Sequence, residues 1–366
     1  MGFSTGIVGL PNVGKSTLFS AITNVKAEIS NYAFTTIEPN VGIVDYYDKD
    51  LVFLADIYKP KKIVFSQCKF VDIAGLIKGA SKGEGLGNKF LQNIKEVDVI
   101  CHVVRCFDDN SILRTGADPI TDVQVINLEL IYADLDQVNN RILKVKKKAE
   151  SGDKLAKFEY NLCLKLKTTL EADKFVNELI FDEQELAIIK TYNLLTFKPF
   201  FYVANINDDQ IENPHDNQNY LNLKKFIEKT QPNSIIVPIS CRYELELSEL
   251  KENERSQFLS SPEVYESGLN KIVACSYKLL NYETFYTAGS DEVRAWLFKK
   301  GMDAQECAGL IHTDFIKNFI RAEIIKFIDF KQYQSELAVK NAGKLFIEGK
   351  KYLICNQDIV HFIINK

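Results

Sequence analysis

Gly9-Leu10-Pro11-Asn12-Val13-Gly14-Lys15-Ser16 reads G-x-x-x-x-G-K-S, and the chemistry of that spacing is phosphate binding. Backbone N–H groups of such a loop converge on phosphate oxygens, and the positive end of the following helix adds to the attraction. The residues from Gly9 to Thr17 would enclose the phosphates: Gly9, Leu10, Pro11, Asn12, Val13, Gly14, Lys15, Ser16 and Thr17. Lys15 would reach the outer pair, and the Ser16 hydroxyl would ligate Mg²⁺. The motif requires a strand before it and a helix behind it. Phe3 to Val8 is a short apolar run, and Thr17-Leu18-Phe19-Ser20-Ala21-Ile22 continues at helical spacing. The expected ligand is a nucleoside triphosphate.

Further stations follow in the order a nucleotide switch uses. Asn31-Tyr32-Ala33-Phe34-Thr35-Thr36 is polar and turn-rich, and Thr36 is expected to close over Mg²⁺ and the γ-phosphate. Asp72-Ile73-Ala74-Gly75 gives D-x-x-G after a strand. Asp72 would hold Mg²⁺ through water, while the Gly75 N–H senses the γ-phosphate. Gly75, Gly79, Gly83, Gly85 and Gly87 punctuate one loop, which is expected to stay mobile until nucleotide or a partner orders it. Leu76 stands where many GTPases place a water-orienting glutamine. Leucine cannot hydrogen-bond water, so unaided hydrolysis should be slow, with the missing group supplied by a cation, another side chain or a partner. Asn12 occupies the position where potassium-activated GTPases hold K⁺; an ordinary turn residue is the competing reading.

Asn205-Ile206-Asn207-Asp208 lies where GTPases carry N-K-x-D. The last carboxylate of that station accepts from guanine N1–H and the exocyclic amine, whereas adenine N1 is itself an acceptor. Ile206 would pack its methyls on a purine face, and Ser240-Cys241-Arg242 would form the second wall. These residues leave the base open.

The elements that must position these groups are legible in outline. Residues 1–125 alternate strand-like and helix-like patterns, as in an open parallel α/β sheet. Val64-Phe65 and Cys68 to Val71 read as sheet, and Val97 to Val104 is a nearly continuous apolar run of a buried central strand. Sheet character returns at Pro199 to Ala204 and at Ser234 to Ile239. Between them, Leu128, Ile131, Leu135, Val138, Ile142, Val145 and Ala149 keep heptad spacing. Glu150-Ser151-Gly152-Asp153 breaks it, and Leu155, Phe158, Leu162, Leu166 and Leu170 resume. This predicts an antiparallel helical hairpin with its tip near Gly152. Lys144, Lys146, Lys147 and Lys148 crowd that tip and read as a solvated face.

The expected fold is therefore α/β: a P-loop, G-domain-like, mostly parallel sheet over 1–125 and 198–280, with a helical coiled-coil insertion at 126–197. A small β-grasp unit follows at 281–366. Within it the pattern predicts a strand at Thr284 to Tyr286, a helix from Asp291 to Lys299, and strands near Ala322-Lys326, Tyr352-Cys355 and Ile359-Ile364. The 366 residues carry a net charge of −4 and eight cysteines without a C-x-x-C pair. That balance argues against a polycationic DNA binder, a zinc site or a disulfide framework. The chain enters its first strand at once and holds no bilayer-length apolar run, so a cytoplasmic protein without a membrane partner is expected.

Taken together, the chain resembles the YchF / Obg-like ATPase family over essentially its whole length. The matching stretches are Gly6 to Phe19, Thr36-Ile37-Glu38-Pro39-Asn40, Val71 to Leu76 and Gly83 to Leu91. Val293-Arg294-Ala295-Trp296, Ile311-His312-Thr313-Asp314-Phe315 and Phe319-Ile320-Arg321-Ala322-Glu323 complete them. The resemblance implies ATP rather than GTP hydrolysis with Mg²⁺, a helical-hairpin insertion, a C-terminal TGS domain, and a monomer acting on ribosomes in translation or stress control. Four departures accompany it. Asp208 replaces a usual glutamate of the base station, and Ile112-Leu113-Arg114 stands where the family carries a histidine proposed to assist hydrolysis. Arg114 can stabilise phosphoryl charge but cannot act as a base. Thr35 replaces a frequent cysteine, and Ala33 a usual proline. His312 is expected to satisfy backbone groups, Trp296 to pack with Val293 and Leu297 on its helix, and His102 to be structural. Arg294, Lys299, Lys300, Lys317, Arg321 and Lys326 form a candidate basic face for ribosomal RNA. The rival readings are a GTPase of the same fold, motivated by Asp208, and a nucleotide-gated binding protein with incidental hydrolysis. A small-molecule kinase is the weakest, since no acceptor site is recognisable.

Overall fold

A computed structural model of the chain describes residues 3–29, 40–73, 86–109, 111–113, 118–250 and 267–365. The chain divides into two units, Met1–Val44 with Lys69–Ile272, and Asp45–Cys68 with Val273–Lys366. The early strands are β1 (Ser4–Val8), β2 (Val41–Asp45), β3 (Lys62–Val64), β4 (Gln67–Asp72) and β5 (Val99–Arg105). The later ones are β6 (Phe200–Asn205), β7 (Ile235–Ile239), β8 (Tyr282–Ala288), β9 (Glu292–Lys299), β10 (Phe319–Lys326), β11 (Leu345–Glu348) and β12 (Asp358–Ile364).

The first unit is built on a sheet ordered β2-β4-β1-β5-β6-β7, and the pairs from β4 through β7 are parallel. Every residue of β5 and β6 is buried, which is why both read as continuous apolar runs rather than alternating ones. Parallel pairing brings the carboxyl ends of β1, β4, β5, β6 and β7 out on one edge, where loops of such sheets gather ligands. Helix α1 (Lys15–Ile29) follows β1 directly.

The predicted hairpin is present. Its long arm, Pro119–Glu150, is capped by Asp118, which accepts from Ile120 N and Thr121 N ahead of a proline in the first turn. The turn passes through Gly152 at φ +93°, and Asp153 caps the return arm Lys154–Glu171. The middle of the long arm is fixed by buried Asp134, which accepts from Leu195 N at 2.9 Å, Thr196 N at 2.7 Å and Thr196 Oγ1 at 2.6 Å.

The second unit holds a mixed sheet ordered β11-β10-β12-β8-β9-β3. Helix Ala304–Ile311 packs Ala304, Cys307 and Ala308 with Phe285, Phe298 and Phe362, giving the expected β-grasp pattern of a helix across a mixed sheet. A second core joins Leu51 and Leu54 to Tyr286, Val293, Phe327 and Phe330. Segment 45–68, which sequence reasoning placed in the first unit, thus supplies a helix (Lys49–Tyr58) and β3 to the second. Long-range contacts draw it there. β3 pairs in parallel with β9, and Tyr286 OH donates to Asp48 Oδ2 at 2.7 Å. The first unit likewise ends at Ile272 rather than at 280.

Two expected elements differ. Asp291 to Lys299 is not a helix but β9, paired antiparallel with β8 along its length. Val293 and Ala295 enter one core and Phe298 the other, so two-sided burial at strand period overrides a helix-compatible composition. Trp296 packs against the core of Phe285 and Phe298 rather than with Val293, which lies in the other core, because strand period puts 293 and 296 on opposite faces; its Nε1 donates to Thr287 Oγ1 at 2.9 Å. Tyr352-Cys355 contributes only an isolated bridge, Asp303 to Leu353, and the edge strand is β11. Among the described residues no helix is long and apolar enough to cross a membrane.

Candidate nucleotide-binding site

The phosphate loop leaves β1 and turns into α1 with Leu18 N donating to Gly14 O at 2.9 Å. Gly14 holds φ +103°, and a Cβ there would lie 2.3 Å from Asn205 Nδ2, so only glycine admits the neighbouring strand end. Lys15 is buried, and its Nζ donates to Gly9 O at 2.8 Å and Leu10 O at 2.9 Å. Burial pushes its pKa down, partly countered by the Asp72 carboxylate; Asp72 in turn is pushed up by burial and drawn back by Lys15. The two groups therefore share one electrostatic site at the ends of β4 and α1. Ser16 is exposed and Thr17 half-buried at the helix start.

Asn205 ties this loop to the base station. Its Nδ2 donates to Val13 O at 2.9 Å, and its Oδ1 accepts from Cys241 N at 3.0 Å. At the other side Ser240 Oγ donates to Asp208 Oδ1 while accepting from Tyr243 N. Arg242 Nε lies 3.7 Å from Asp208 Oδ2 and 3.0 Å from Glu246. Asp208 is thus open but already engaged on both oxygens. Ile206 and Cys241 are buried at 2% and 1% exposure. The methyls expected to meet a purine face serve the interior instead, and Cys241 contributes its backbone N–H.

Of the expected site, the structure brings together residues 9–17, Asp72, Asn205, Asp208 and Ser240 along one sheet edge. Thr36, Gly75 and Arg114, with Thr35, Leu76 and most of the glycine-punctuated loop, lie outside the described residues. Sequence reasoning missed Arg105, a buried guanidinium at the end of β5, although a charge closing an apolar run is a visible signal. Mg²⁺ fits the donor set: an exposed serine hydroxyl and a carboxylate beside the phosphate-binding lysine leave room for phosphate oxygens and water.

The remaining candidates resolve into local roles. His102 is fully buried between Phe200 and Tyr202, with neither ring nitrogen hydrogen-bonded. Burial first, and Lys15 second, push its pKa down to about 3. His312 Nδ1 accepts from Asp314 N at 3.2 Å, capping a short helix. The basic face is largely paired within the unit: Arg294 with Glu292, Lys300 with Glu283, Arg321 with Glu323 and Lys326 with Asp358.

A parallel sheet whose first strand opens into this loop, with a second station at the ends of β6 and β7, defines a P-loop nucleotide-binding domain of the GTPase structural type. Consistently, residues 4–148 match the family model described as "50S ribosome-binding GTPase". Residues 282–365 match the YchF-GTPase_C model, described as "Protein of unknown function (DUF933)". "Ribosome-binding ATPase YchF" of Bacillus subtilis is 46% identical over 100% of both chains, and that of Mycoplasma genitalium 47% over 99% of both. The solved structure of the Schizosaccharomyces pombe YchF GTPase is 36% identical, covers 99% of this chain and 97% of its own, and superposes with a TM-score of 0.87. The chain belongs to the YchF family.

Proposed function

We propose that this protein is a Mg²⁺-dependent ATP hydrolase that associates with ribosomes and uses its nucleotide state as a switch in translation or stress regulation. The observation that carries the nucleotide reading is Asn205. One buried amide holds both the phosphate loop, at Val13, and the second base wall, at Cys241, so phosphate and base stations form one rigid cradle. When phosphates enter, Lys15 exchanges the Gly9 and Leu10 carbonyls for phosphate oxygens, which are stronger acceptors for a buried ammonium. Ser16 and Asp72, with Thr36 as the expected third group, would hold Mg²⁺, which neutralises phosphate charge. Gly75 and, more weakly, Arg114 complete the proposed catalytic set. Hydrolysis in such a site is positioning plus electrostatics, without a covalent intermediate.

ATP as the base choice and the ribosome as the partner rest on the relatives named ribosome-binding ATPases. The S. pombe relative is titled a GTPase, and Asp208 with its Ser240 partner has the form a guanine reader uses. That keeps a GTPase as the second reading. The test is binding and turnover of ATP and GTP in Mg²⁺ and KCl, with and without ribosomes, for wild type and Asp208→Glu. ATP preference with stimulation on ribosomes is expected. A GTP preference that Asp208→Glu weakens would overturn the ATPase reading.

A further inference from the structure

Arg105 ends β5, pairs in register with Asn205 of β6, and is only 4% exposed. Its guanidinium is satisfied by the loop that follows. Nε donates to Phe107 O at 3.4 Å, Nη2 to Asp109 O at 2.8 Å, and Nη1 to Ile112 O at 3.1 Å and Leu113 O at 3.5 Å. The Phe107 ring lies beneath it, 4.4 Å from Cζ to centroid. Arginine's five N–H groups in a rigid fork suit this use, whereas a lysine is a point charge that cannot reach four carbonyls at once.

The loop so held is also attached to each half of the nucleotide cradle. On the base side Asp108 N donates to Asn207 Oδ1 at 3.1 Å, and Asn207 Nδ2 returns a bond to Asp108 O at 3.3 Å. On the phosphate side Asn12 Nδ2 donates to Leu113 O at 3.3 Å. The Leu113 carbonyl is thus shared by Arg105 and by Asn12, a phosphate-loop residue held at φ +63°. With Nδ2 committed, the Asn12 amide has one orientation, and its Oδ1 is left as an acceptor set by the loop.

We propose that Arg105 is a positioning residue for nucleotide hydrolysis: it shapes the loop after β5 so that the Leu113 carbonyl fixes Asn12 beside the phosphates. The inference rests on the hydrolysis reading above. Arg105 spends its donors on the carbonyls of its own loop. It acts through Leu113 and Asn12, and a displacement near 1 Å at a reacting site costs on the order of a hundredfold in rate.

The test is a double-mutant cycle on the full chain with MgATP, measuring kcat, KM and melting temperature for wild type, Arg105→Lys, Asn12→Ala and the double variant. Each single change is expected to lower kcat about tenfold with KM moved less than about threefold, the split of an interaction serving the transition state. The double variant should be no slower than the worse single one, because both changes break the same attachment. Losses that multiply in the double variant, or a change in KM alone, would overturn the proposal. If Arg105→Lys does not fold, Phe107→Leu removes the ring beneath the guanidinium and leaves its donors. A smaller loss of kcat, absent in the Asn12→Ala background, supports the proposal, and a loss of equal size in both backgrounds overturns it. Wild type that turns over no ATP would sink the hydrolysis reading itself. Measurable turnover with multiplying losses would sink only the role of Arg105.

Discussion

Asn205→Ala offers the sharpest check on the cradle. The side chain is 5% exposed and carries two hydrogen bonds, to Val13 O at 2.9 Å and from Cys241 N at 3.0 Å. A typical bond contributes about 1 kcal/mol net, and a buried polar group left without a partner costs about 1–3 kcal/mol. Stranding the Val13 carbonyl and the Cys241 amide together gives a loss of about 2–5 kcal/mol. For a unit of roughly 150–250 residues each kcal/mol moves the melting temperature by about 2–4 °C, so a drop of about 4–20 °C is expected. The assay is thermal unfolding with and without MgATP. Ligand at a hundred times its Kd stabilises a binder by about 2.7 kcal/mol, and the variant should lose most of that shift at the same concentration. Asn205→Asp keeps an acceptor for Cys241 N but sets a carboxylate oxygen against the Val13 carbonyl, so it should be at least as damaging. An Asn205→Ala protein that melts within about 1 °C of wild type and keeps its full ATP shift would refute the cradle.

Gly14→Ala should abolish nucleotide binding in equilibrium titrations, because it forces a side chain at φ +103° into Asn205; retained affinity would contradict the packing. Asp134→Ala leaves two backbone amides and the Thr196 hydroxyl without their acceptor and should cost about 3 kcal/mol or more, read by denaturant unfolding. For His102 the folded pKa, about 3, lies below the ordinary value of 6.5. The unfolded chain therefore binds the extra proton first, and stability falls as pH drops from about 6.5 toward 3, by up to about 1.4 kcal/mol per unit. His102→Leu should shift the acid-unfolding midpoint to lower pH, and an unmoved midpoint would count against this. Chelation of Mg²⁺ should weaken ATP binding strongly in wild type and little further in Asp72→Ala, measured by titration calorimetry.

The phosphate loop, the hairpin and the parallel strands were readable because each is local. A loop's glycines, a heptad and its Gly152 break, or the apolar run of β5 carry their own signal within a few residues. Local signal also misled. Asp291 to Lys299 has helix-compatible residues, and only pairing with β8 on one side and β3 on the other makes it a strand. Tertiary packing likewise decided that 45–68 belongs with the C-terminal sheet, since β3 meets β9 from some 230 residues away. It also buried Ile206 and set most of the basic face's charge against neighbouring carboxylates. The sequence by itself determined the class of ligand, since the geometry that binds phosphate is written in eight consecutive residues. Only the tertiary structure decided how that loop is held. The groups that hold it, Asn205 and Arg105, act through hydrogen bonds to backbone atoms, and a backbone carbonyl has no signature in the sequence.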